Sequence, residues 1–210
     1  MTHLDFPAKM SEHDDDHLHE HDDIEVQDGP IEPPALDEET LARRAAALRQ
    51  VTQFGDPVLK SKAQPVAVFD DALRAEIAHM AQLMSDSLGI GLAANQVGRL
   101  RRLLVYRVEE DSRVQALVNP QLEWASKDEE WFEEGCLSLP RVHVDVERPI
   151  HVRVRAFNEA GEEILVEASG LEARVIQHEM DHLDGVLIVD RAPRDQRREA
   201  MRILRELDAA

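Results

Sequence analysis

Gln177-His178-Glu179-Met180-Asp181-His182 is the stretch of this chain best equipped for chemistry. On a helix, residues four apart share a face and lie one turn from each other. The imidazoles of His178 and His182 can therefore both reach a single ion. Glu179 projects near the same point, close enough to handle protons on water held by that ion. Histidines at this spacing also occur by chance on exposed helices. Val175, Ile176, Met180 and Leu183 argue against exposure, because they would bury this helix.

A catalytic ion of this kind takes three protein ligands and keeps one position open for water. No histidine follows His182. Glu199 and Glu206 are available further on, in a charged closing helix. The sole cysteine, Cys136, is the better candidate, a soft thiolate within Glu134-Gly135-Cys136-Leu137-Ser138. A lone cysteine is more often a small buried hydrophobe than a ligand. Here Gly135 permits close backbone approach, and the Leu-Pro that follows is expected to end the strand. A second glycine-rich stretch, GIGLAANQVG from Gly89, is too rich in glycine for a regular element. It lacks both the third glycine of a dinucleotide loop and the lysine of a P-loop, so it is no phosphate cradle.

The elements that must position these residues follow from periodicity and punctuation. Asp37 to Arg49 has acids in its first turn and an alanine-rich body, and reads as a helix. Asp70 to Leu88 carries Leu73, Ile77, Met80, Leu83 and Met84 at helical spacing and stops at Gly89. RRLLVYRV, QALVNPQLEW, RVHVDV, IHVRVRAF and EEILVEA alternate or cluster β-branched residues as strands do, and Asn158 to Gly161 marks a hairpin turn. A helix from about Leu171 to Gly185 holds both histidines, and a last helix runs from Pro193 to Ala209. Strands in one block flanked by helices predict an α+β fold: antiparallel strands around a central metal-binding helix, with helices at both ends.

Composition narrows the setting. The 210 residues suit one catalytic-sized domain, and the formal charge of −19 has the wrong sign for a free-standing DNA or anionic-membrane binder. No stretch approaches the roughly 18 apolar residues of a membrane span, and no basic-then-apolar leader follows Met1. A single cysteine excludes an intramolecular disulfide and suits a reducing cytoplasm. Residues 1–36 hold eleven acids against Lys9, together with His3, His13, His17, His19 and His21. This segment is expected to be a disordered acidic tail, leaving residues 37–210 as the domain.

Three motifs, GIGLAANQ at 89–96, EGCLS at 134–138 and QHEMDH at 177–182, together with FGDPVL near Phe54, resemble the bacterial peptide deformylases over about residues 50–191. The resemblance implies that Cys136, His178 and His182 hold one divalent metal. Fe²⁺ is the ion it favours, with Zn²⁺, Ni²⁺ or Co²⁺ as substitutes. It implies removal of the formyl group from the N-terminal formyl-methionine of newly made polypeptides, releasing formate. Metal-bound hydroxide would attack the formyl carbon, Glu179 would act as base and then acid, and Gln96 with the Leu137 backbone N–H would stabilise the oxyanion. Ile90, Gly91 and Gly135 would offer main-chain groups to an extended peptide. Ile90, Phe132, Leu171 and Val175 would form the methionine pocket.

Glu134 and Asp181 are expected either to orient the loop and helix or to be ordinary salt-bridge partners. The arginines at 191, 194, 197, 198, 202 and 205 make the closing helix a candidate dock on the ribosome; the bland alternative is a surface helix with internal ion pairs. Two other readings stand beside the deformylase. One is a metallopeptidase whose third ligand is Glu199 or Glu206. The other is a non-enzymatic metal buffer built on the histidine-rich tail.

Overall fold

Residues 36–109 and 111–208 are described by the computed structural model, so the acidic, histidine-rich segment lies, apart from Leu36, outside the described residues. Helix α1 (Glu38–Leu48) begins where Asp37 accepts the Thr40 N–H at 2.7 Å. Helix α2 (Asp71–Asp86) begins the same way, with Asp70 accepting the Leu73 N–H at 2.9 Å. Each cap satisfies an N–H that the first turn leaves without an intrahelical partner. The five apolar residues predicted along α2 are the five it buries.

Seven strands follow: β1 (Gly91–Ala93), β2 (Leu103–Tyr106), β3 (Gln115–Ala125), β4 (Glu129–Cys136), β5 (Leu139–Pro149), β6 (His151–Phe157) and β7 (Glu163–Ser169). Five of them form an antiparallel sheet in the order β1-β2-β3-β6-β7, while β4 and β5 pair as a separate antiparallel hairpin. Then come α3 (Gly170–Leu183), the short α4 (Ile188–Arg191) and α5 (Arg194–Asp208). The architecture is α+β, as expected, with the histidine helix packed against strands of both sheets.

Three local expectations need correction. The glycine-rich stretch is partly regular: it forms β1 and a 3-10 turn over Ala94–Val97, because β1 gains backbone partners on β2. Strand β4 has no clean alternation, since most of its side chains are exposed, and periodicity misses it. Leu139-Pro140 does not end a strand; it opens β5, after a turn at Leu137 and Ser138.

Helix α3 buries Ala173, Val175, Ile176, Met180 and Leu183 against the large sheet, in a cluster with Leu104, Leu117, Val152 and Val154. Burying one such aliphatic side chain is worth about 1.5–3 kcal/mol, so this face fixes the helix that carries both histidines. Its C-terminus is fixed as sharply. The Val186 N–H returns to the Asp181 carbonyl at 2.8 Å and the Gly185 N–H to the His182 carbonyl at 3.0 Å, with Gly185 at φ +74°. This pairing needs a left-handed residue, which glycine supplies without penalty. A Cβ on Gly185 would also stand 2.6 Å from the Lys60 carbonyl oxygen. Gly185→Ala should therefore lower stability by more than about 1 kcal/mol, from left-handed strain and backbone collision together. Denaturant unfolding of the variant beside the parent checks this, and an unchanged midpoint contradicts it.

Candidate active site

Cys136 ends β4, and His178 and His182 stand one turn apart on α3. The fold brings the thiol and a nitrogen of each ring within 4.8 Å of one another. Cys136 Sγ lies 3.3 Å from His182 Nε2, and the two imidazoles meet edge to face with centroids 5.0 Å apart. One thiolate and two imidazoles suit a divalent transition ion.

The surroundings fit such an ion. His178 Nδ1 meets Glu134 Oε2 at 2.9 Å, which places that ring's proton on Nδ1 and leaves Nε2 for the cluster. Burial alone would lower the pKa of His178. Hydrogen bonds to Cys136 and Glu134, with the charge of Glu179, instead hold it well above the ordinary value. A positive charge is thus favoured at this point, whether proton or metal. Burial, reinforced by the charges of His178 and Arg148, keeps His182 neutral, the form that ligates.

Behind Cys136 and the two histidines lies a buried ionic node. Glu134 on β4 accepts Arg148 Nε at 2.6 Å and Nη2 at 2.9 Å, and Arg174 Nη1 at 2.8 Å. Arg148 belongs to β5 and Arg174 to α3, and both side chains are at least nine-tenths buried. Burial would raise the Glu134 pKa, but bonds from Arg148 and His178 and their charges hold it far below the carboxylate range. Asp181 accepts Arg148 Nη1 at 2.8 Å and also pairs with Arg191. Of the two acids expected to orient or to pair, Glu134 does both and Asp181 pairs.

Glu179 is the opposite case. It is buried, and its Oε2 has no hydrogen-bond partner among the described residues. Burial pushes its carboxyl up to about 7, the Glu134 charge adding to the rise and His178 and Arg148 opposing it. Gly91 accommodates it: a Cβ there would stand 2.3 Å from Glu179 Oε1. Gln96 is also buried and its orientation is fixed. Its Oε1 accepts the Ala93 N–H at 2.8 Å, so Nε2 faces Ser138 Oγ at 3.3 Å and Cys136 Sγ at 3.6 Å.

These groups open into a cavity of about 640 Å³. All the remaining predicted residues line it: Ile90, Gly91, Phe132, Gly135, Leu137, Leu171 and Val175. Ile90, Phe132 and Leu171 are exposed at its mouth, and Val175 is buried. The Arg174 guanidinium stacks 5.6 Å from the Phe132 ring centroid.

Sequence reasoning missed Arg148, Arg174 and Ser138, and it gave no wall to α1. Arg174 carried a signal, four residues before His178 on the same helical face; Arg148 carried none. Glu199 and Glu206 are not third ligands. Both are exposed on α5 and paired with Arg202, while Cys136 completes the cluster.

A thiol, two histidines and a buried glutamate oxygen without a partner among the described residues meet in one cleft, a set of groups that could hold a metal ion beside a proton acceptor. A sequence model of the family described as polypeptide deformylase matches residues 48–198. A peptide deformylase of Acidothermus cellulolyticus is 46% identical over 164 residues, covering 78% of this chain and 89% of that protein. One of Treponema pallidum is 45% identical over 149 residues, 71% of this chain and 91% of that protein. The crystal structure of a peptide deformylase from Synechococcus elongatus in complex with actinonin aligns with a TM-score of 0.70 at 45% identity, over 72% of this chain and 85% of that one. That from Legionella pneumophila aligns with a TM-score of 0.72 at 35% identity, over 76% and 94%.

The chain belongs to the peptide deformylase family. It is an enzyme of N-terminal formyl-group removal. The peptidase and metal-buffer readings are thereby set aside.

Glu134→Gln removes the charge that Arg148 and Arg174 share. Loss of one partner from a buried ionic group costs about 3–5 kcal/mol, and loss of a ligand's hydrogen-bond acceptor lowers metal affinity about 10- to 100-fold. Thermal unfolding and a metal-chelator titration of the variant should show both effects; parental values in both would refute the role given to the node.

Proposed function

We propose that Cys136, His178 and His182 hold one Fe²⁺ per chain, replaceable by Zn²⁺, Ni²⁺ or Co²⁺, and that Glu179, Gln96 and Leu137 carry out deformylation of N-formyl-methionyl peptides. The observation that carries this is Glu179 Oε2, buried and without a hydrogen-bond partner among the described residues, beside the cluster of Cys136 and the two imidazoles. An ion on this set supplies a Lewis acid that brings the pKa of water toward neutrality. Glu179 takes a proton from the attacking water, its buried Oε2 having no hydrogen-bond partner among the described residues to compete for it. As the C–N bond breaks, it delivers that proton to the leaving amine, and formate departs.

Negative charge gathers on the formyl oxygen during attack. Gln96 Nε2, turned toward the site by the Ala93 N–H, and the Leu137 backbone N–H are its donors. The extended peptide runs between Ile90 and Gly91 on one side and Gly135 on the other. Its methionine side chain enters among Ile90, Phe132, Leu171 and Val175, whose apolar surfaces line the cavity. We assign this activity to residues 37–210 and place the enzyme in the cytoplasm, where new chains emerge. No helix among the described residues is long and apolar enough to cross a membrane.

Glu179→Ala should keep the metal and lose about 100- to 10,000-fold in formate release from formyl-Met-Ala, whereas Cys136→Ala should lose the metal itself. Anaerobic preparation with a metal assay on the same sample tests both, and iron should be the most active occupant. Full turnover by Glu179→Ala ends the mechanism.

The ribosome is the partner we propose for α5. Arg194, Arg198 and Arg205 have no carboxylate within ion-pair distance among the described residues, whereas Arg191, Arg197 and Arg202 do. Reversing Arg194 and Arg198 to Glu should weaken ribosome co-sedimentation at low salt and leave formyl-Met-Ala turnover intact. Unchanged co-sedimentation would leave α5 as a surface helix.

A further inference from the structure

The family match begins at residue 48, yet the cavity has a wall that starts before it. Leu41, Arg44 and Leu48 share one face of α1, three and four residues apart. Arg44 and Leu48 line the cavity that holds Cys136 and Glu179. Helix α1 packs on α2 through buried Ala47, and Arg44 Nε reaches the Ser87 carbonyl at 3.4 Å, just beyond the end of α2. Arg44 is therefore held beside the Leu88–Gly91 wall. Arg141, an exposed residue of β5, lines the same cavity from the hairpin.

The charges at this mouth are unbalanced. Glu133, exposed on the same lining, has only the His143 ring near it, at 3.6 Å, so one carboxylate stands there against the two guanidiniums of Arg44 and Arg141. Neither Arg44 nor Arg141 has a carboxylate within ion-pair distance among the described residues. The reacting groups lie at the buried end of the cavity. A polypeptide whose first residue reaches them leaves through the mouth, along a lining that includes Arg44 and Arg141.

We propose that Arg44 and Arg141 select substrates by charge, favouring formyl-methionyl chains with an acidic side chain at the second or third residue. The inference rests on the deformylase reading of the cavity. A basic side chain at those positions meets a surplus of like charge, and a neutral one gains nothing. Contacts of this kind are exposed, so the preference is modest and sensitive to salt.

The test uses the full chain with its metal and C-terminally amidated formyl peptides. Amidation removes the terminal carboxylate, which would otherwise supply the same charge to every peptide. One series is formyl-Met-Xaa-Ala and the other formyl-Met-Ala-Xaa, with Xaa as Glu, Gln or Lys. Formate release should give kcat/KM roughly three- to tenfold higher for Glu than for Lys in at least one series. The ratio should fall toward one in 0.5 M salt, where the screening length is only about 4 Å. Arg44→Glu with Arg141→Glu should invert the ratio, an effect that general damage to the fold cannot produce.

Equal kcat/KM for the three peptides in both series overturns the selection and leaves the deformylase reading intact. So does a preference unmoved by the double reversal. No formate from any peptide, the Gln ones included, would instead overturn the functional reading beneath it.

Discussion

A carboxylate buried on β4 ties together the three elements from which the site is made. Glu134 takes Arg148 from the neighbouring strand and both Arg174 and His178 from α3. Isolated, its charge would cost several kcal/mol in such a place. The hairpin and the helix must therefore approach until the guanidinium and imidazole groups converge on it. That approach also sets the separation between Cys136, two residues along β4, and the histidines on the helix. Apolar burial gives α3 its seat on the large sheet, but it is non-directional. The ionic node supplies the direction, since Arg148 meets the carboxylate through two nitrogens at fixed geometry.

Two glutamates in the same small volume are driven to opposite states by what surrounds them. Glu134 is held ionised by cations that donate to both of its oxygens. Glu179 is equally dry but has no such donors at Oε2, and its carboxyl rises to about 7. One can only accept; the other can take a proton and return it. Pairs of acids pushed apart in this way separate a structural charge from an acid–base group. Gly91 belongs to the same division of labour, because any side chain there would occupy the space of the Glu179 carboxylate.

Access to the site is shaped from outside as well. Helix α1 lies almost wholly before the residues matched by the family, and its capped start and buried Ala47 fix it against α2. Through Arg44 and Leu48 this helix lines the cavity that also holds Cys136 and Glu179.

Much was determined by the sequence alone. The one-turn spacing of His178 and His182, the glutamate beside them, and the apolar residues that bury one face of α3 are local facts of a helix. The lone cysteine narrowed the third ligand without deciding it, and the capped, periodic helices and β-branched strands gave the α+β class. Folding decided the rest, because it concerns residues far apart in the chain. Whether Cys136 or a later glutamate joins the histidines depends on which strand lies against α3. That Arg148 and Arg174 would sit behind Cys136 and the two histidines left almost no trace in periodicity, since a buried arginine reads locally as a surface residue. Strand β4 was invisible for a related reason: its side chains are mostly exposed, and it is a strand only because β5 lies beside it. The opposed ionisation of Glu134 and Glu179 was equally hidden, because desolvation and charge proximity exist only once distant segments have packed together.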